Sequence, residues 1–136
     1  MPKLVSLEAL GREAARLWRE LTPGSVVWLT GELGSGKTTF VQAVAKAAGA
    51  ESARSPSFAL VHEYHSPHGV LVHADCYRLR EPAEALDLDL IALQRRARLL
   101  LIEWPERAGA YAPPPDAHIV LSHAHLPDRR VLERVA

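Results

Sequence analysis

Eight consecutive residues carry the most specific chemistry in the chain. Gly31-Glu32-Leu33-Gly34-Ser35-Gly36-Lys37-Thr38 fits the pattern G-x-x-x-x-G-K-[ST] at every fixed position. Glycines let such a loop wrap an anion with its backbone N–H groups turned inward, and a helix starting near Gly36 adds its positive dipole end. Lys37 is spaced to reach terminal phosphoryl oxygens, and the Thr38 hydroxyl to bind the magnesium ion that bridges them. A turn that was merely structural would not need the lysine.

A phosphate-binding loop also needs an acid at the end of a neighbouring strand, to hold magnesium directly or through water. Glu103 follows Leu99-Leu100-Leu101-Ile102, and Asp75 follows Val70-Leu71-Val72-His73-Ala74. Ligands gather at the carboxyl ends of strands in doubly wound sheets, so both acids are candidates, and a surface ion pair is the plain alternative for each. Glu103 is preferred because its strand is the more uniformly apolar. GTPases read guanine with an Asn/Thr-Lys-x-Asp element, but Lys3, Lys37 and Lys46 are the only lysines and none has Asp two residues later. ATP is therefore the expected nucleotide.

Other polar groups read more plainly. Arg95, Arg96 and Arg98 suit a solvated helix end better than a lid or a nucleic-acid contact. His62, His65 and His68, like His118, His123 and His125, lack the cysteine or fixed carboxylate that usually completes a zinc site, and read as ordinary exposed or partly buried side chains. Cys76, the one cysteine, reads as a buried, inert thiol.

The elements that must position the loop follow from periodicity. Ser6 is a favourable N-cap, and Leu7, Leu10, Ala14, Leu17, Trp18 and Leu21 recur at helical spacing until Pro23-Gly24. Ser25 to Thr30 is a short β-rich run before the loop, and Phe40, Val41, Val44, Ala45 and Ala48 line one helix face after it, ending at Gly49. Phe58 to Tyr64 and Val70 to Asp75 form a hairpin across Ser66-Pro67-His68-Gly69. Pro82 opens a helix, although Leu86-Asp87-Leu88-Asp89-Leu90 alternates like a strand. Arg98 to Glu103 reads as a central strand covered on both faces; His118 to Ser122 and Val131 to Val135 read as closing strands. A sheet with helices packed on it is the economical architecture.

At 136 residues, residues 1–136 are expected to form one domain, and 48% apolar with 24% charged residues is an ordinary globular composition. Sixteen Lys+Arg balance sixteen Asp+Glu, so the broad positive field of an autonomous nucleic-acid binder is missing. A lone cysteine, with no charged-then-apolar leader and no long apolar run, points to a cytoplasmic protein without membrane association.

Four blocks in order resemble one family, TsaE (also called YjeE), the small bacterial ATPase of tRNA threonylcarbamoyladenosine synthesis. They are the loop continued through Thr39-Phe40, then Ser55-Pro56-Ser57-Phe58, His73-Ala74-Asp75-Cys76-Tyr77-Arg78-Leu79, and Ile102-Glu103-Trp104-Pro105-Glu106. The loop alone marks a superfamily; its combination with H-x-D-x-Y-R-L and E-W-P-E is specific to this family. The resemblance implies an α/β P-loop NTPase fold, with a central, mainly parallel sheet, flanking helices and some antiparallel strands. It also implies ATP and Mg2+ as ligands, and TsaB and TsaD as partners that carry the transfer to tRNA, which this chain would meet only through them.

By position, the resemblance makes Thr38 and Glu103 the magnesium ligands and Lys37 the phosphate lysine. Glu32, Leu33, Gly34, Ser35, Gly36 and Thr39 complete the nucleotide contacts. Ser57 falls in a switch-like segment where the family usually has Thr, Asp75 matches an acid important for activity, and Trp104 is the tryptophan beside the magnesium glutamate. Ser6 falls where the family's N-terminal segment approaches the nucleotide. Among the departures, Glu32 replaces the commoner Asp, and Asp89 falls near a Leu-Gly step typical of the family.

The expected activity is ATP hydrolysis, slow in the isolated chain, coupled to the cycle of TsaB and TsaD. Lys37, Asp75 and Glu103 are the catalytic candidates, and Arg78 is the nearest arginine in a matched block that could meet transition-state charge. A small P-loop metabolite kinase and a non-hydrolytic, nucleotide-dependent assembly module are the alternatives.

Overall fold

The computed structural model describes residues 2–50 and 60–136. A seven-stranded sheet runs through it, built from β1 (Lys3–Ser6), β2 (Ser25–Gly31), β3 (Val61–Ser66), β4 (Gly69–Asp75), β5 (Leu99–Glu103), β6 (Ala117–His123) and β7 (Arg129–Arg134), in the spatial order β1-β7-β6-β2-β5-β4-β3. The four central strands, β6, β2, β5 and β4, are mutually parallel; β3, β7 and β1 join antiparallel at the two sides. The mainly parallel centre with antiparallel edges is the α/β arrangement expected from the sequence.

β5 explains why the sheet lies where it does. All five of its residues are buried, and their alternation divides them between two apolar layers. Leu99 and Leu101 join the layer with Val27, Leu29, Leu71 and the inner faces of α1 (Leu7–Glu20) and α2 (Lys37–Ala47). Leu100 and Ile102 join Val26, Val72 and Ala74 beneath α3 (Leu90–Arg96) and the 3-10 turn Pro82–Asp87. Each such side chain contributes about 1.5–3 kcal/mol of burial, so the strand that ends in Glu103 is anchored from both faces.

The helix ends follow their local chemistry. The Ser6 hydroxyl accepts the Ala9 N–H at 3.1 Å and so caps α1. The hairpin closes with Ser66 opposite Gly69, and Ser66 Oγ bridges the two-residue turn, accepting from the His68 N–H at 3.1 Å and donating to the Gly69 carbonyl at 2.8 Å. Positions 58 and 59 of that first expected strand lie outside the described residues.

Two segments differ from the sequence reading. The single helix expected after Pro82 is two pieces, because Asp89 takes a left-handed conformation (φ 48°) and its side chain accepts the Ala92 N–H at 3.3 Å, starting α3 anew. The departure at Asp89 thus falls at a bend where glycine would be free of strain and an aspartate can cap. β1 is an additional strand ahead of the first helix. Four residues are too few to display a period, and only pairing with β7 reveals them.

Candidate functional site

The loop lies between the end of β2 and the start of α2. Gly36 is the N-cap of α2, at φ 104° with no side-chain cap, so the first-turn N–H groups have no capping side chain as a partner. Phe40 N–H reaches back to the Gly36 carbonyl at 2.9 Å, which makes the turn regular from its first residue. Buried Phe40, Val41 and Val44 then clamp the helix to the sheet.

Lys37 is 4% exposed although charged. Its ammonium donates to the carbonyls of Gly31 at 2.8 Å and Glu32 at 2.7 Å, and lies 4.6 Å from the centre of the Trp104 ring. Burial pulls its pKa down, against the opposing pull of Glu103, Asp75, Glu106 and Glu32. Trp104 itself sits at a left-handed bend (φ 56°) directly after β5, with its N–H donating to the Leu29 carbonyl at 3.3 Å. The Tyr77 ring packs 5.0 Å from it and the Arg107 guanidinium lies over both rings.

The parallel register of β4 and β5 places Asp75 opposite Glu103. Both strand-end acids therefore lie on one rim of the cleft whose other residues include Gly34, Gly36, Lys37, Thr38 and Thr39. Asp75 accepts the Tyr77 N–H at 3.0 Å. Glu103 is 3% exposed and Thr38 Oγ1 donates to its Oε2 at 3.0 Å. His73 Nε2, also buried, lies 2.5 Å from the same oxygen. Burial pushes the Glu103 carboxyl up, but the His73 contact, the Thr38 bond and the Lys37 ammonium together outweigh it and hold the group below the usual glutamate range.

That direction has a consequence for stability. A carboxyl whose folded pKa is depressed stabilises the fold fully above its unfolded value, and the contribution disappears as pH falls through the folded value. Glu103→Gln is therefore expected to flatten the loss of stability below about pH 4.5. Urea unfolding of both proteins between pH 3 and 6 checks this: parallel acid limbs would contradict it.

The remaining expected residues are distributed as follows. Ser35 is buried, and its N–H donates to the Glu32 carbonyl at 3.1 Å. Glu32 takes part through its backbone, and the exposed Leu33 presents its carbonyl to His123 Nε2 at 3.0 Å. Ser6 is engaged in the α1 cap and is not among the residues lining the cleft. Ser57 lies outside the described residues. Arg78 is exposed and off the cleft, whereas Arg130 lines it, beside Gly36. The Arg130 guanidinium donates to the carbonyls of Pro127 at 2.9 Å and Arg129 at 2.8 Å. The Arg129-Arg130 pair, like Arg95-Arg96, is ambiguous in the sequence between a functional contact and a solvated pair; Arg130 reaches the cleft because β7 and β6 stack beside β2. His73 falls inside a matched block that gives it no role, and the parallel pairing of β4 with β5 is what puts it against Glu103. Cys76 is buried, and burial, then Asp75 and Glu106, push its thiol up to about 12, which keeps it inert at neutral pH.

Thr38 and Glu103 offer a neutral hydroxyl and a carboxylate, the hard oxygen donors magnesium takes when phosphate oxygens fill the rest of its shell. Among the described residues no three His, Cys, Asp or Glu side chains form a group that could hold a metal by themselves. No helix among them is long and apolar enough to cross a membrane.

A parallel α/β sheet with this glycine loop leading from a central strand into a helix defines a P-loop nucleotide-binding fold. Within that class, residues 4–131 match the family model described as threonylcarbamoyl adenosine biosynthesis protein TsaE, and the chain belongs to the TsaE family. Similar relatives bear the name tRNA threonylcarbamoyladenosine biosynthesis protein TsaE. The one from a Nostoc species is 39% identical over 112 residues, covering 79% of this chain and 68% of its own. That of Aquifex aeolicus is 41% identical over 101 residues, covering 72% and 68%. That of Haemophilus influenzae is 29% identical over 139 residues, covering 100% and 87%. The crystal structure of Bacillus subtilis YdiB superposes with a TM-score of 0.77 at 26% identity, over 98% of this chain and 84% of that one.

Proposed function

We propose that this chain binds ATP with Mg2+ at the loop and hydrolyses it, slowly alone and faster when engaged by TsaB and TsaD, so that hydrolysis drives the cycle of that pair in tRNA threonylcarbamoyladenosine synthesis. The carrying observation is the convergence of the Thr38 hydroxyl on Glu103 at 3.0 Å, beside the buried Lys37 ammonium, at the mouth of the loop. In this reading the backbone N–H groups from Gly34 to Thr38 and the Lys37 ammonium hold the phosphates. Thr38 and Glu103 hold the cation, which when bound offsets charge on the terminal phosphoryl oxygens. Asp75, or Glu103 through water, orients the attacking water. Trp104 shields the lysine from solvent, and Arg130 offers a further cation in the cleft beside Gly36. With a net charge of zero, the chain relies on its partners' hold on tRNA rather than its own, and works with them in the cytoplasm.

The test is Glu103→Gln. Phosphate release should fall by about 10²–10³-fold, the size expected when one group acting on transition-state charge is removed. ATP affinity by titration calorimetry should stay within a few-fold, and threonylcarbamoyladenosine in cellular tRNA should disappear. Equal phosphate release by the wild-type chain with and without TsaB and TsaD would sink the activation by partners. Full tRNA modification by a variant that releases no phosphate would replace hydrolysis with nucleotide-gated assembly.

A further inference from the structure

We propose that His73 is a positioning residue for Glu103: its imidazole anchors the carboxylate in the orientation that meets Thr38, and thereby sets the affinity of the loop for the divalent cation that accompanies the nucleotide. The inference rests on the nucleotide-binding reading above.

The argument begins with the alternation of β4. Val72 and Ala74 enter one apolar layer of the sheet and Leu71 the other, so His73 occupies the face of Leu71, where packing alone would call for an aliphatic side chain. The chain instead buries an imidazole there to 3% exposure. Burying such a ring is unfavourable unless its nitrogens are bonded. Nε2 meets Glu103, but Nδ1 has no hydrogen-bond partner among the described residues. Local stability does not account for a histidine at this place.

What the ring does is hold one oxygen of one carboxylate. Glu103 Oε2 accepts from both His73 at 2.5 Å and Thr38 at 3.0 Å, while among the described residues Oε1 has only a long contact of 3.4 Å to Thr38. The threonine hydroxyl is itself a candidate cation ligand. His73 is therefore the side-chain hold on Glu103, among the described residues, that is independent of the cation. Its ring also meets that of His62 at a steep angle, centroids 5.5 Å apart across the β3–β4 pairing. Partners that orient a ligating side chain in this way are typically worth about 10–100-fold in metal affinity.

Two amide variants separate this role from simple packing. A glutamine places its side-chain nitrogen near the position of Nε2, whereas an asparagine reaches only as far as Nδ1. Mn2+ serves as the probe: its affinity for the chain saturated with ADP is measured by electron paramagnetic resonance, alongside ADP affinity in EDTA and the melting temperature. His73→Gln is expected to bind Mn2+ within about threefold of wild type and His73→Asn at least about tenfold more weakly, with ADP affinity in EDTA the same in all three. Equal Mn2+ affinity for His73→Asn and wild type, or equal loss in both amide variants, overturns the proposal. So does a folded His73→Leu chain that keeps wild-type Mn2+ affinity. Failure of the wild-type chain to bind ADP at all removes the nucleotide reading itself, and this inference with it.

Discussion

Lys37→Ala should bind nucleotide more weakly and lose hydrolysis while remaining folded. The ammonium is 4% exposed and bonds to two carbonyls of its own loop, at 2.8 Å and 2.7 Å. A charged donor this well placed contributes about 1.5–3 kcal/mol per hydrogen bond to an anionic partner. Its removal should weaken ATP binding by about 10–100-fold. Hydrolysis should fall further, by about 10²–10³-fold beyond the binding loss, because charge on the phosphoryl oxygens grows toward the transition state in a site partly shut off from water. The fold should tolerate the change: the alanine removes a desolvated charge that burial already opposes, which offsets the two carbonyls left without a donor. Titration calorimetry with ATP, phosphate release and thermal melting measure the three effects separately. Unchanged ATP affinity in a folded variant would remove the phosphate-binding assignment of the loop.

The parts of this prediction that could be read from sequence are those whose physics is local. The loop, the strand before it and the helix after it are contiguous, and each shows its own period or turn chemistry. The run ending in Glu103 could be identified as a doubly covered strand because four apolar positions in a row leave no face for water. The N-cap at Ser6 was legible for the same reason, since cap and helix adjoin.

The remainder depends on contacts between distant segments. His73 and Glu103 are thirty residues apart, and only the register of β4 on β5 brings them together. Arg130 comes to the cleft by two successive strand pairings, β7 on β6 and β6 on β2. The bend at Asp89 was obscured because leucines at alternate positions suit a strand, while a left-handed residue splits the same run into two short helices. In each case the missing information was which segments are neighbours, rather than what each segment prefers.

Gly31→Ala tests how tightly the loop is set against the sheet. Gly31 is the last residue of β2, paired with Leu121 of β6, and it holds φ at 142°, a region that L side chains rarely adopt. A Cβ built there would lie 2.0 Å from the Leu121 carbonyl oxygen and 2.9 Å from Ser35 Oγ. Neither obstacle is a flexible tip, since the first is backbone in a central parallel pair and the second belongs to a fully buried loop residue. The variant must therefore part β2 from β6 or turn the loop out of line. Backbone strain of about 1–3 kcal/mol adds to the lost pairing, for a total of about 3–5 kcal/mol, a large share of the stability of an ordinary domain. The melting temperature should drop by roughly 10–20 °C. Gly11→Ala supplies the control within the same chain. Gly11 lies inside α1 with nothing within 4 Å of its Cβ position, so alanine there should stabilise by about 0.5–1 kcal/mol. One substitution type is thus expected to act with opposite signs at two glycines, and a Gly31→Ala chain that melts within a degree or two of wild type would contradict the close contact between loop and sheet on which the placement of Lys37 depends.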